Sequence, residues 1–161
     1  VKEWTFLIKY DDIWIPLQNG LSKYTGLQVI QAEGIGEQPK YPFFSIKKTT
    51  IGEGVGQAVR TISDNIATIE QDTESVLSIT CNAATIEDAE DYTHRARAYF
   101  LGHGHIDLSD KNITVVDVLN ATNRDVFLTV AYERRCGFDL RLRVRGQESY
   151  EIDVIERVTI N

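Results

Sequence analysis

An α+β fold follows from two observations. The segment Ile86–Leu101 carries apolar residues at helical spacing, and the last third of the chain is almost wholly β-branched and aromatic residues in alternating patterns. Together they predict an antiparallel or mixed sheet, with one long helix packed on it and a shorter helix near the N-terminus. The 161 residues and 18.2 kDa suit one domain over 1–161. With 42% hydrophobic and 25% charged residues, such a chain buries a core without help from a metal or a disulfide.

Residues 1–10 are apolar-rich but aperiodic and are expected to form an extended arm. A helix is predicted from about Asp11 to Tyr24. Asp11 or Asp12 caps it, Pro16 sits in its first turn, Trp14, Leu17 and Leu21 form its stripe, and Gly26 ends it. Leu27 to Ala32 reads as a short strand. The next ten residues, Glu33 to Pro42, hold two glycines and two prolines and read as a loop. Phe43 to Thr50 reads as a strand. Gly52, Gly54 and Gly56 then mark a flexible loop, and 52–74 is expected to be a mobile loop or hairpin that orders on docking. Leu77, Ile79 and Cys81 alternate with Ser78 and Thr80, the period of a half-buried strand.

The long helix has Thr85 as its cap and Asp88 three residues on. Its stripe is Ile86, Ala89, Tyr92, Ala96, Tyr99 and Phe100, with Gly102 as a left-handed stop. Four strands follow in the reading: Ile113 to Leu119, Val126 to Arg135, Phe138 to Arg145 and Tyr150 to Ile160. Cys136-Gly137 and Gly146-Gln147 are read as hairpin turns between them. Phe138, Leu140, Leu142 and Val144 point one way; Asp139, Arg141, Arg143 and Arg145 point the other.

Net charge is −7 and the pI is near 5.0, which argues against sequence-independent nucleic-acid binding by the whole surface. The charge is segregated. Eight acids lie from Asp64 to Asp91, and five arginines against one acid lie from Arg134 to Arg145. Arg134, Arg135, Asp139, Arg141, Arg143 and Arg145 are therefore candidate contact residues. Their carboxylate partners could come from the helix start at Glu87, Asp88 and Asp91 or from the stretch Asp64 to Glu74, in the same chain or a neighbour. DNA passing a lumen is the other candidate partner.

Catalytic signatures are weak. His94, His103 and His105 lack a CxxC or HExxH companion, neither glycine cluster continues into Lys-Ser or Lys-Thr, and no Gly-x-Ser-x-Gly elbow occurs. No enzyme activity, metal or cofactor is expected, although a small metal-dependent enzyme built on the histidines stays open as an alternative. Cys81 and Cys136 read as small buried hydrophobes. No apolar run reaches the length of a membrane span, and no secretory signal opens the chain.

Asn123-Arg-Asp-Val and Tyr132-Glu-Arg-Arg-Cys-Gly-Phe-Asp-Leu-Arg-Leu-Arg143 resemble the neck and tail terminator proteins of tailed phages. So does the order of pieces: an N-terminal helix, Pro39 to Phe43 leading into a strand, Ser-Val-Leu-Ser-Ile, and a helix ending Ala98-Tyr-Phe-Leu-Gly102. The resemblance runs from about Asp11 to Ile155. It implies a structural virion subunit, assembled in the host cytoplasm, that forms a ring, usually a hexamer. Such a ring caps the head-proximal end of the tail tube, ends tail polymerisation and offers the head-joining surface. The implied partners are other copies, tube protein, sheath protein in contractile tails, and head-completion or connector proteins. A head-completion or connector subunit is the alternative role.

Overall fold

The computed structural model describes residues 8–128 and 132–153. The described elements are helix α1 (Tyr10–Thr25), strands β1 (Val29–Gln31), β2 (Phe43–Ser63) and β3 (Ile66–Ala83), helices α2 (Ile86–Leu101) and α3 (His103–Ser109), then strands β4 (Ile113–Val118), β5 (Thr122–Asn123), β6 (Val126–Phe127) and β7 (Tyr132–Glu151). The sheet order is β1-β2-β3-β7-β4, with β5 and β6 also on β7. Among the described residues β1–β2 is the one parallel pair and the other pairs are antiparallel. The α+β expectation holds.

The helices cover one face of the sheet. Ile13, Leu17 and Leu21 of α1 and Ala96, Tyr99 and Phe100 of α2 meet Phe44, Ile79, Phe138, Leu140 and Leu142 in a single core. The predicted alternation in β7 is what makes this possible, because its even-numbered residues face the helices and its odd-numbered ones face away. Tyr99 slots between two other helices. A Cβ at Gly20 would lie 2.0 Å from its hydroxyl, and one at Gly104 would lie 2.6 Å from its ring.

Several expectations are corrected. The N-terminal helix is not the shorter one, since α1 and α2 both have 16 residues. Lys9 occupies the N-cap of α1, Asp11 and Asp12 fall in its first turn, and Pro16 lies deeper in the helix. Gly26 does end it, at φ 76°. Thr93, absent from the predicted stripe of α2, is buried and its hydroxyl donates to the Cys136 carbonyl at 3.2 Å. Gly102 has φ −118° rather than a left-handed value, and the Gly-His-Gly-His segment after it forms α3 instead of a loop.

The largest change concerns the turns. Cys136-Gly137 and Gly146-Gln147 are not hairpins: β7 runs through both, paired with β3 without a break from Ile66–Glu151 to Ala83–Arg134. The predicted strand Val126 to Arg135 is divided between β6 and β7, with 129–131 outside the described residues. The region beyond Asp153 in the predicted last strand and residues 1–7 of the predicted N-terminal arm also lie outside them. Gly52, Gly54 and Gly56 lie within β2 and not in a loop, and 52–74 is a β2–β3 hairpin.

That hairpin, with the second half of β7, extends past the helices as a three-stranded arm. Its residues are 50–63 of β2, 66–75 of β3 and 145–151 of β7. The glycines sit at its base, where the β2–β3 register slips between Lys48/Thr50, Thr50/Glu53 and Val55/Val59. Gly56 has φ +73°, and the Gln71 amide donates to its carbonyl at 3.0 Å.

Candidate assembly surface

The face of the sheet away from the helices is a ladder of charge. Arg135, Asp139, Arg141, Arg143 and Arg145 occupy odd positions on β7, opposite Asn82, Ser78, Val76, Glu74 and Asp72 of β3, and Glu133, at the next odd position outward, faces Val126 of β6. The Ile152 N–H donates to the Asn65 carbonyl at 2.8 Å, just outside the Ile66–Glu151 pair. That bond makes the odd positions of β7 the non-hydrogen-bonded sites of the β3–β7 ladder, where facing side chains approach most closely.

The arginines are paired within the chain. Arg143 Nε donates to Glu74 Oε1 at 3.1 Å, and Arg141 Nη1 reaches Glu74 Oε2 at 3.4 Å. Glu74 is itself almost buried. These two guanidinium groups, Arg143 first, hold its carboxyl below the ordinary 4.5. Arg145 bridges Glu70 and Asp72 at 3.0 and 3.1 Å, which raises its own pKa. Of the two acidic sources considered from sequence, the Asp64 to Glu74 stretch supplies these partners. Asp139 is the one acid in the arginine segment itself, and these partners, remote in sequence, are brought beside the arginines by the β3–β7 register.

At the other end of β7 the acids and bases interlock around a glycine. Arg124 extends across Gly137 and donates to Ser78, to Thr80 at 3.1 Å and to Asp139 at 3.2 Å. A Cβ at position 137 would stand 2.9 Å from the Arg124 guanidinium and 2.4 Å from the Ile79 carbonyl. Close approach, rather than a turn, therefore requires this glycine. Asp125 accepts from the Arg135 N–H at 2.9 Å and from Arg134 at 2.8 Å, and the first of these bonds chiefly lowers its pKa. Glu133, nearly buried, accepts from the Arg135 guanidinium and from the Tyr41 hydroxyl at 3.0 Å. Burial first, and the Glu133 carboxylate after it, raise the Tyr41 pKa.

Arg124, Asp125, Glu133 and Tyr41 escaped the sequence-based site, and Glu74 entered it only as the end of the acidic stretch Asp64 to Glu74. The signal for three of them lay in the segments Asn123–Val126 and Tyr132–Arg143, which fold onto each other here. Over residues 15–161 the chain matches the family described as phage neck terminator protein. The chain belongs to the phage neck terminator family. No match is found among curated proteins. The terminator family makes this a structural protein of the phage neck and tail, placed in the virion beside other head and tail proteins.

The remaining candidate residues of this terminator-family chain lie elsewhere. Glu87, Asp88 and Asp91 are exposed at the start of α2, on the helical layer and away from the arginine ladder. Asp88 donates its backbone N–H to the Thr85 hydroxyl at 3.3 Å, an N-cap. His94 belongs to α2 while His103 and His105 belong to α3, and His103 contacts Asp107 at 3.1 Å. Among the described residues no three His, Cys, Asp or Glu side chains gather as a metal site. Cys81 and Cys136 face each other across β3–β7 as buried free thiols, and burial pushes Cys81 up to about 12. Among the described residues no helix is long and apolar enough to cross a membrane.

Proposed function

We propose that this protein is the ring subunit, a hexamer, that caps the head-proximal end of the tail tube, ends tube polymerisation and presents the surface for head joining. The observation that carries the reading is family membership over residues 15–161, joined to a sheet that leaves the helical layer and projects an exposed arm. Two unlike surfaces on one small subunit suit head-to-tail contacts around a closed ring. The segregated charge supports it further: Glu87, Asp88 and Asp91 on one layer and the Arg141, Arg143 and Arg145 ladder on the other are available to different neighbours. The ladder arginines contact a neighbour or the lumen with the donor capacity left after Glu74, Glu70 and Asp72 are served, so transient DNA contact belongs to the same reading. The partners are tube protein, sheath protein in a contractile tail, and connector proteins.

Tails assembled without this protein test the reading. Overlong or headless tails that return to normal length and join heads when the protein is added are the expected result. Tubes of normal length that still fail to accept heads would point to a connector role instead. Native mass spectrometry supplies the stoichiometry, with six copies of the 18.2 kDa chain expected.

A further inference from the structure

The three-stranded arm has two edges. Among the described residues no strand pairs with β2 on its outer side beyond Ile46, and none pairs with β7 on its outer side beyond Val144. An exposed, regular strand edge is a template for another strand. At the base of the arm, register slips blunt the β2 edge, but from Val59 to Ser63 its ladder with β3 is unbroken. Ile62 there is 60% exposed. Across the β7 edge the ladder is unbroken too, through Glu148, Ser149 and Tyr150.

The two edges are complementary row by row. Arg60, Ile69 and Glu148 share one cross-strand row; Thr61, Thr68 and Ser149 share the next; Ile62, Ala67 and Tyr150 share the third. We propose that the β2 edge of one copy docks on the β7 edge of the next. This inference rests on the ring reading and deepens it. β2 and β7 both run antiparallel to β3, so a rotated copy presents its β2 parallel to the first copy's β7. In that junction Glu148 meets Arg60 of the next copy, Ser149 meets Thr61, and Tyr150 meets Ile62. Opposite charge, paired hydroxyls and paired apolar groups all coincide in one register. Pairing β2 with β2 instead brings two Arg60 edges together and leaves both β7 edges bare. The proposed contact joins different surfaces, so successive copies form a ring where the rotation between them closes, and both edges of every arm are then covered.

Single-cysteine variants test this directly. Native Cys81 and Cys136 are buried, so Thr61→Cys and Ser149→Cys supply the reactive thiols. Within one chain Thr61 and Ser149 flank Thr68 on opposite sides, one strand away each. The two variants are mixed, treated with a short bifunctional maleimide, and read by mass, both as purified protein and in tails that carry them. The expected result is a 61–149 heterodimer at least ten-fold above the product of either variant alone. Self-linking of Thr61→Cys alone would overturn the head-to-tail assignment. An oligomer without the 61–149 product would overturn the arm contact and leave the ring standing. No oligomer, free or in tails, would overturn both.

Discussion

β7 passes through two environments, and the contrast shows what holds each. From Cys136 to Leu142 its even residues lie under the helices, with Phe138, Leu140 and Leu142 essentially inaccessible. From Arg145 to Glu151 the same strand continues in the same unbroken ladder with β3, where Arg145 pairs with Glu70 and Asp72 and the other facing pairs are not ion pairs. Burying one such apolar side chain stabilises by roughly 1.5–3 kcal/mol. An exposed ion pair contributes about 0–1 kcal/mol. The helix-covered half therefore carries the fold. The arm is an extension whose order depends on strand pairing, a few ion pairs and the Arg60 guanidinium 5.6 Å from the Tyr150 ring centroid.

Breaking the covered half should cost most. Phe138→Ala removes a ring that packs edge-on to Phe100 at 6.2 Å, and a loss of about 3–5 kcal/mol is expected in urea unfolding. A loss below 1 kcal/mol would mean that the core lies elsewhere. Gly137→Ala comes next, at about 1–3 kcal/mol, because the new methyl meets the Ile79 carbonyl and the Arg124 guanidinium. The expected companion is loss of the Arg124–Asp139 pair, and the double variant Gly137→Ala, Arg124→Ala should recover part of the loss if the guanidinium is the obstacle.

Glu74 marks the boundary between the halves. Its carboxyl is held below 4.5 when folded, so its pairing stabilises above that unfolded value and is lost as pH falls through the lower folded one. Wild type should melt above Glu74→Gln at pH 7, and the gap should close as the pH is lowered below 4.5. An equal gap from pH 7 to pH 3 would sink the assignment. The smallest effect belongs to the bare arm. Ile51 is 81% exposed, and Ile51→Ser should change stability by less than about 0.5 kcal/mol. A larger loss from the monomer would mean that the arm is not independent of the core.

Charge reversal at Arg141 and Arg143 would strike both halves at once. Both arginines hold the nearly buried Glu74, so such variants are expected to lose stability as well as contacts. This is why Thr61 and Ser149, which lie on the arm, make better probes of assembly.

The bounds of α2 were legible because Ala89, Ala96, Tyr99 and Phe100 keep helical spacing and Thr85 caps the first turn. The two faces of β7 were legible because Phe138, Leu140 and Leu142 alternate with Asp139, Arg141 and Arg143. Both are local periodicities, set by residues within one or two turns or pleats of each other. The partners of the arginines were not legible. Glu74 and Arg143 are 69 residues apart, and only the β3–β7 register makes them neighbours. Nor was the role of Gly137, whose local sequence reads as a turn but whose missing side chain admits Arg124 and a neighbouring carbonyl. The sequence alone determined which residues face inward on β7 and most of those that do so on α2. Tertiary structure decided which charges meet and which glycine is a close approach, because contacts between distant strands depend on a register that no local pattern encodes.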